Sequence, residues 1–547
     1  MAVDPVSPAV PTDDEKQLAE LGYKQELSRA WSGFTNFAIS FTIISVLAGP
    51  LTNFNFGWNA GGPAGIAISW PILCFFVLLV GFSMAELTSA MPTAGGPYWW
   101  AAKLGGNLWS WFTGWFNIIG VIGIVGGVGY GAAFFLDSLL GLYKLDVLGV
   151  NFGDAKHILP ETFLLFVIIL LLYTVLNIFA DPVLALFNNI SVGWHVLGVI
   201  AIVALLIFVP DHHQSVSQVF STRVNAVGFN HGHAHGAFFF FYVLPLGFIL
   251  TMYTMTGYDA SAHTAEETRG ASIAAAKGLW RSIFYSAIAG WILLLALLFA
   301  VTDVKGLTAA GGSGPAAFES ALTPAAAKAV LIIATIGQLF CGAAGLTSGS
   351  RTWYAFARDR GIPGWWLFRR INRQRVPSYA VLAVSLGALI IVIPANWGNS
   401  LGVPWAYAAI TGICTVGLYL AYIIPVYLRL RAGDKFEPGP WTLGKHYRWI
   451  NIGAIAFVVL VVIALDIPAV HSAVPWNDDF RLSSFNYTIL VLVVGLLVGI
   501  WWKLSAKNKY TGPVRTIDEL EEEIRHAPEH PQPPEADPAG PAPAPAG

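Results

Sequence analysis

Long apolar stretches alternate with short polar segments along most of this chain. Each stretch has the roughly 20 mostly apolar residues that a helix needs to cross a bilayer. The pattern therefore predicts an all-α membrane protein with about twelve transmembrane helices. The predicted spans are residues 31–59, 63–90, 108–138, 160–180, 183–209, 237–263, 276–302, 325–356, 377–395, 401–428, 449–470 and 485–504.

Two of these predicted helices, the first and the sixth, are interrupted near their middles. Gly49 and Pro50 lie within ISVLAGPLTNFNFGW, where proline removes an amide donor and clashes with the preceding turn. Gly257 and Asp259 lie within YTMTGYDASAHTAEE. Each interruption alone could be a kink or a packing contact. Two breaks five spans apart instead indicate inverted repeats with a substrate site at their interface.

The composition favours a lipid environment. The chain is 55% hydrophobic and 11% charged, against roughly 25% charged residues in a soluble domain. A net charge of −2 without a basic stripe argues against nucleic-acid binding. The three cysteines lie in apolar runs and are expected to be small buried side chains. The sequence has no Walker loop and no nucleophile–base signature, so we expect neither an ATP-driven pump nor an enzyme, and no cofactor.

The basic residues indicate the orientation. If both termini are cytoplasmic, 24 of the 30 Lys and Arg residues lie on the cytoplasmic side. The positive-inside rule then predicts a multi-pass plasma-membrane protein with both ends in the cytoplasm. We expect a cytoplasmic N-terminal segment at 1–30, a transmembrane domain at 31–505 and a largely disordered, proline-rich cytoplasmic tail at 506–547.

Three segments resemble the amino acid–polyamine–organocation permeases, within them the branch of amino acid, GABA and choline permeases. They are AELTSAMPTAGGPYWWAAKLGG, GYDASAHTAEETRGAS and SGSRTWYAFARDRGIPGWWLFRRINRQRVPSYAV. Their order and spacing match the family over roughly residues 30–505. The resemblance implies a LeuT-like five-plus-five inverted repeat with discontinuous helices 1 and 6, two peripheral helices, and transport by alternating access.

The resemblance also implies where a substrate binds. The family holds an amino acid's carboxylate at the break in helix 1 and its amine on carbonyls freed in helix 6, as helix dipoles favour. Leu47-Ala48-Gly49 stands where many members have Gly-Ser-Gly, so substrates other than standard α-amino acids stay open. Tyr253 stands at an aromatic-gate position, with a lipid-facing or packing aromatic as the alternative. The expected substrate-binding residues are Ala48, Gly49, Thr52, Tyr253, Thr254, Thr256 and Gly257.

Ionisable residues inside spans are costly and indicate function. Glu86, near the end of helix 2, either pairs with a basic loop residue as an inner-gate latch or is a solvated helix end. His195 lies on helix 5, where proton-coupled relatives carry a lysine, and is either a coupling residue or a packing histidine. Asp259 is expected to cap the helix that resumes after the break. Proton coupling and contact with the substrate's amine are its alternatives.

Two further groups of residues are weaker candidates. Thr347 and Ser348 of helix 8 could contribute to a sodium site, although hydroxyls commonly bond back to their own helix. The outward loop with His231, His233 and His235 could bind zinc or copper. It lacks acidic or cysteine partners at a fixed spacing, so we expect a hydrophilic loop and no metal.

The sequence thus favours a secondary transporter that imports an amino acid or related small amine, such as GABA, with the proton as coupling ion. A permease or exchanger for choline, a polyamine or a urea-like solute is an alternative. A permease-fold sensor would be expected to carry a folded signalling extension. An ion channel would need a continuous polar pore, whereas two half-helices meeting at the midplane favour occlusion.

Overall fold

The computed structural model describes residues 13–27, 29–144, 146–147, 150–152, 158–179, 181–396, 405–481 and 484–514. Within these ranges, twelve helices are long and apolar enough to cross a membrane, which confirms the predicted all-α class and the number of spans. In chain order, helices 1 to 12 are Gly33–Thr52, Phe54–Ala90, Asn107–Leu142, Leu159–Phe179, Leu186–Phe208, Gly236–Thr254, Ala271–Ala300, Pro324–Arg358, Ser378–Asn396, Tyr407–Lys435, Gly444–Asp466 and Tyr487–Leu504.

Shorter elements connect the spans. One antiparallel pair of two-residue strands, Asp146–Val147 and Val150–Asn151, follows helix 3. The short helices are Pro97–Gly105, Val216–Ser221, Ala260–His263, Val304–Ala309, Gly314–Ala321 and Trp365–Phe368, with 3-10 turns at Asn230–Gly232, Ala265–Glu267 and His471–Ala473.

The described residues fall into two units. One consists of residues 13–24, with the helix Asp13–Glu20. The other, residues 25–514, holds all twelve spans. The predicted tail lies mostly at 515–547, outside the described residues, and the N-terminal segment is described only from residue 13 onward.

The predicted boundaries differ from the structure mainly at helices 1, 2 and 6. The predicted first span, 31–59, reaches into the helix Phe54–Ala90, which turns at Gly62 (φ +66°) before Pro63. The predicted sixth span, 237–263, is divided into Gly236–Thr254 and the short helix Ala260–His263. Both differences arise because the spans were delimited by the length of apolar sequence. That length does not indicate where the backbone leaves the helical conformation.

Helices 1, 3, 8 and 10 are the most buried spans and form the centre of the bundle. Helix 3 packs along helices 8 and 10, and helix 7 packs along helices 1 and 2. Small residues bring helix 3 close to its neighbours: Gly114 faces Phe356, and Gly123 faces Cys414. Helix 12 is the least buried span. Broken backbone in helix 1 is therefore enclosed by protein, where a membrane protein tolerates it.

Candidate functional site

The backbone of helix 1 leaves the helical path at residues 45–48. Its first half ends at Ile44, and a short second helix, Gly49–Thr52, follows. Within the described residues, the amides of Val46 and Leu47 enter no backbone hydrogen bond. A buried amide needs an acceptor, but neither Val46 nor Leu47 lines the small cavity described below, so these two groups are not exposed to it in this conformation.

This break begins before the predicted one at Gly49 and Pro50. Pro50 lies in the first turn of the second half-helix. There a missing amide costs no intrahelical hydrogen bond, and the fixed φ of proline suits a helix start. The expectation that Pro50 interrupts the helix is therefore wrong in detail: the proline starts the helix that follows the break.

The break in helix 6 covers residues 255–259, and helix 10 holds it in place. Gly257 has a φ of +78°, which few residues other than glycine adopt. The Tyr419 hydroxyl donates to the Met255 carbonyl at 2.7 Å, and the Gly257 amide donates to the Tyr422 hydroxyl at 3.2 Å. Sequence reasoning missed both tyrosines, because nothing local links helix 10 to this segment.

The two breaks border a small cavity of about 10 Å³, room for roughly one water molecule. None of its lining side chains is charged, so the charged ends of an amino acid would have to meet backbone groups there. Its small volume also means that the site must widen to admit a substrate. It is lined by the predicted Ala48, Gly49, Tyr253, Thr254 and Thr256, and by the unpredicted Ile43, Ile44, Ile124, Val128 and Cys341.

Tyr253 lines this cavity with an unsatisfied hydroxyl. The side chain is only 4% exposed, so the interpretation as a lipid-facing aromatic is wrong. Its hydroxyl lies against Gly127 of helix 3 and has no hydrogen-bond partner among the described residues. A buried hydroxyl without a partner is costly, and a ligand at the cavity could supply one.

Two predicted substrate-binding residues do not line the cavity. The Thr52 hydroxyl donates to the Ala48 carbonyl at 2.9 Å, so it bonds back to its own helix. Gly257 packs against helix 1, and a Cβ added to it would lie 2.2 Å from Cγ2 of Ile43. These two residues shape the breaks and do not face the space between them.

His195 of helix 5 joins the break in helix 1. Its Nδ1 lies 2.8 Å from the Ser191 carbonyl, which can only accept, so Nδ1 carries a hydrogen. Its Nε2 lies 2.6 Å from the Ser45 hydroxyl, at the first residue beyond the helical half. His195 is fully buried. Because the Ser45 hydroxyl can either donate or accept, this contact ties helix 5 to the break whether or not the ring takes up a proton.

A second, larger cavity of about 640 Å³ lies between helices 1, 5 and 7. Its walls are almost entirely apolar, and they include exposed side chains such as Ile200, Phe208 and Ile292. Among its lining residues, only His195 and Tyr285 have polar side chains, and both ring nitrogens of His195 already have partners in Ser45 and Ser191. A zwitterion would therefore find few polar partners along these walls. The small cavity between the breaks is therefore the better candidate site, despite its size.

Asp259 does not cap the helix that follows it. It occupies the N-cap position of Ala260–His263, but its side chain accepts no hydrogen bond from that helix's amides. Its Oδ1 accepts from the Tyr422 hydroxyl at 2.7 Å. Its Oδ2 lies 3.0 Å from Nε2 of His263 and accepts from Asn117 at 3.3 Å. The capping prediction is thus wrong, because tertiary partners take both carboxylate oxygens.

Buried ion pairs lie at the end of the bundle where helix 8 ends, and we call this cluster the arginine gate after the gating role proposed for it below. Arg351 bonds Glu267 at 2.9 Å, and Arg358 bonds Glu266 at 3.2 Å, joining helix 8 to the segment after helix 6. Each buried charge needs its partner, so opening this end requires these pairs to separate or be hydrated. The arginine gate consists of Glu86, Glu266, Glu267, Arg351, Arg358 and Arg429.

Glu86 belongs to this gate and is not a solvated helix end. Its side chain is fully buried. It bonds Nε of Arg429 on helix 10 at 2.9 Å and accepts from the Thr442 hydroxyl and the Leu443 amide. The geometry is that of a latch between helices 2 and 10, with a helix residue in place of the loop residue we expected.

The weaker candidates have other contacts in the structure. The Thr347 hydroxyl donates to Asn177 and to its own helix at Ala343. His233 and His235 place their rings 5.2 Å apart in the loop before helix 6. Among the described residues, no group of three or more His, Cys, Asp or Glu side chains has the geometry to hold a metal ion.

Known proteins resemble the chain over nearly its whole length. The profile of a family described as "Amino acid permease" matches residues 32–496, from helix 1 into helix 12. The chain is 35% identical to amino-acid permease BAT1 of Arabidopsis thaliana, covering 93% of this chain and 98% of that protein. It is 34% identical to the BAT1 homologue of Oryza sativa, with coverages of 92% and 96%. It is 27% identical to a GABA-specific permease of Saccharomyces cerevisiae, with coverages of 94% and 88%.

Proposed function

Because this chain belongs to the amino acid permease family, we propose that it imports an amino acid or a related small amine, such as GABA, across the plasma membrane. Transport proceeds by alternating access and is coupled to protons. One observation carries the proposal: the broken segments of helices 1 and 6 border a common, uncharged cavity. The similarity to a GABA-specific permease supports a short amino acid as substrate.

In this proposal the substrate binds through its two charged ends. The carboxylate accepts from the amides of Val46 and Leu47 once the site widens, because neither residue lines the closed cavity. The amine donates to carbonyls of the break in helix 6. Ile43 and Ile124 then contact the hydrocarbon part. The lining has no carboxylate to balance an isolated cation, which favours a zwitterion over choline or a polyamine.

The orientation is part of the proposal. Most basic residues of the chain belong to the end that carries the arginine gate and to the two tails, so the positive-inside rule puts this end in the cytoplasm. The arginine gate then acts as the inner gate. A conformation with closed ion pairs and a cavity for about one water corresponds to an occluded state of an alternating-access cycle.

Uptake by purified protein in proteoliposomes tests this function. The panel contains radiolabelled amino acids, GABA, choline, a polyamine and urea, each with and without an inward proton gradient. We expect accumulation of one or a few amino acids that collapses when a protonophore removes the gradient. Liposomes without protein provide the background.

Other outcomes would contradict the proposal in different ways. Binding of an amino acid without any uptake indicates a sensor. Uptake of choline, a polyamine or urea, with none of an amino acid, excludes the proposed substrate class. Accumulation that is independent of the proton gradient but requires substrate on the opposite side of the membrane indicates an exchanger.

A further inference from the structure

Asp259 and His263 lie one turn apart after the break in helix 6, and both side chains are buried. We infer that this pair holds the transported proton and that the shared proton keeps the arginine gate closed. The inference rests on the proposed proton coupling, and it assigns that coupling to a specific pair of atoms, Oδ2 of Asp259 and Nε2 of His263.

The hydrogen-bond partners restrict where protons can be. Nδ1 of His263 lies 3.0 Å from the Ala94 carbonyl, which only accepts, so Nδ1 carries a hydrogen. The Tyr422 hydroxyl accepts from the Gly257 amide and donates its one hydrogen to Oδ1 of Asp259. The remaining contact, 3.0 Å between Nε2 and Oδ2, must contain one more proton to be attractive.

Three protonation states can be compared at this contact. With one proton, the pair is either an imidazolium facing a carboxylate or an imidazole facing a carboxylic acid, and it is neutral overall in both cases. With no proton, a lone pair of Nε2 faces the charged Oδ2, and the buried pair carries a net negative charge. With two protons, it carries a net positive charge. Burial disfavours both charged states, so this closed geometry selects the singly protonated pair.

His195, the other histidine beside a break, does not impose this condition. Its Nε2 faces the Ser45 hydroxyl, which can rotate to donate to a neutral ring or to accept from a charged one. The contact therefore survives in either protonation state. The contact between Asp259 and His263 does not, so of these two histidine contacts it is the one whose geometry depends on the number of bound protons.

A chain of contacts connects the pair to the arginine gate. The Ala94 carbonyl accepts from His263, while the Ala94 amide donates to Glu266 at 2.9 Å. Glu266 in turn pairs with Arg358. On the other side, the Tyr422 hydroxyl links Asp259 to the Gly257 amide at the break. The pair thus lies between the candidate substrate site and the gate.

Other ionisable groups near the pair are accounted for. The neutral Asn117 of helix 3 faces both members, with its Nδ2 at 3.3 Å from Oδ2 of Asp259 and 3.5 Å from Nε2 of His263. On helix 1, the neutral Asn36 and Ser40 bond Ser261, which lies between the two. Glu266, Arg351 and Arg358 are engaged in the gate, and Tyr98 donates to Asp359. The titratable groups that act on Asp259 directly are Tyr258, Cys414, Tyr422 and His263.

The cycle balances in protons. The pair accepts one proton from the extracellular side before the outer pathway closes, and this proton bridges Nε2 and Oδ2 in the occluded state. When the gate opens, water reaches the pair and the proton leaves to the cytoplasm. A closed gate that holds one proton more than the open gate is favoured at low pH and opens as the pH rises, by up to about tenfold per pH unit.

Thiol accessibility measures this equilibrium without a substrate. Ala265 is buried beside the gate, so Ala265→Cys reacts with a water-soluble maleimide only when the gate opens. The experiment uses the full chain in nanodiscs over roughly pH 5 to 8, the range in which histidines usually titrate. Rates are divided by those of Lys507→Cys, an exposed position, to remove the pH dependence of the thiol itself. The parent protein, with its three buried cysteines, supplies the background.

We expect the normalised rate of Ala265→Cys to rise with pH, approaching about tenfold per unit. When Asp259→Asn is added, the normalised labelling rate of Ala265→Cys should be low at every pH. An amide hydrogen of the new asparagine can then donate to Nε2 of His263 in place of the shared proton. Adding His263→Gln should also abolish the slope. His195→Gln serves as the matched control and should keep it. Thermal melting identifies variants that fail to fold. If His263→Gln is one of them, the near-isosteric Asp259→Asn decides the test.

A slope that persists in folded Asp259→Asn, or one that His195→Gln abolishes, would overturn the inference. Because no substrate enters the assay, either result leaves amino acid uptake intact as a proposal. Conversely, a failed uptake panel with an intact pH slope would remove the proposed function and leave a proton-sensitive gate.

Discussion

At the scale of single residues, two glycines allow the broken helices to touch. A Cβ added to Gly49 would lie 2.4 Å from Oγ1 and 2.7 Å from Cα of Thr254 on helix 6. One added to Gly257 would lie 2.2 Å from Ile43 on helix 1. Each glycine therefore serves contact between the two breaks, and Gly49 also lines the cavity between them.

This packing predicts that even alanine is too large at either position. Gly257→Ala also places a side chain at a φ of +78°, which costs about 1–3 kcal/mol in strain. We expect both Gly49→Ala and Gly257→Ala to lower the thermal stability of the purified protein. Gly193→Ala on helix 5 is the control, because nothing lies within 4 Å of its added Cβ. Equal melting temperatures for all three variants would contradict the assigned contacts.

Residue roles were only partly predictable from the sequence. Ala48 and Tyr253 were found at the cavity because the family resemblance aligns whole motifs. Thr52 does not line the cavity, because its hydroxyl bonds back to the Ala48 carbonyl where the helix restarts. His263 was missed altogether, since its importance comes from facing Asp259 and Ala94, and a histidine in a polar motif gives no sign of that by itself.

At the scale of elements, apolar length was sufficient to predict all twelve spans, because lipid imposes that length. The limits of the breaks were not predictable to the residue. The break in helix 6 is held by Tyr419 and Tyr422, which lie more than 160 residues further along the chain. The break in helix 1 precedes Pro50, since proline is compatible with a helix start.

The latch between helices 2 and 10 leads to a prediction on Glu86. Glu86→Gln leaves Arg429 buried without its counter-charge, and removing one partner of a buried ion pair typically costs about 3–5 kcal/mol. We expect a clear drop in thermal stability, with partial recovery in the double variant Glu86→Gln/Arg429→Gln. Glu319→Gln, at an exposed position of the helix Gly314–Ala321, is the matched control.

A double-mutant cycle separates the pair from its members. The coupling energy between Glu86 and Arg429 is the change in the free energy of unfolding in the double variant, minus the sum of the changes in the two single variants. A coupling near zero would mean that the Thr442 and Leu443 hydrogen bonds hold Glu86, and that the ion pair contributes nothing to the closed end.

At the scale of the whole molecule, burial and charge follow different axes. Burial decreases outward from helices 1, 3, 8 and 10 to helix 12, whose exposed side chains such as Leu496 and Leu504 suit contact with lipid. Charge is concentrated toward one end, where the arginine gate lies and where the basic segment Arg358–Arg375 joins helices 8 and 9. The first axis concerns packing, whereas the second concerns how the chain is oriented in the membrane.

The charge axis predicts the orientation, and single cysteines can test it. His233, before helix 6, and Arg373, between helices 8 and 9, are both exposed and lie at opposite ends of the bundle by the alternation of spans. All three native cysteines are buried, so the background labelling should be low. In intact cells, a membrane-impermeant thiol reagent should label His233→Cys, and it should reach Arg373→Cys only after permeabilisation. The opposite pattern would put the arginine gate outside, and the Asp259–His263 pair would then release its proton to the extracellular side, which is incompatible with proton-driven import.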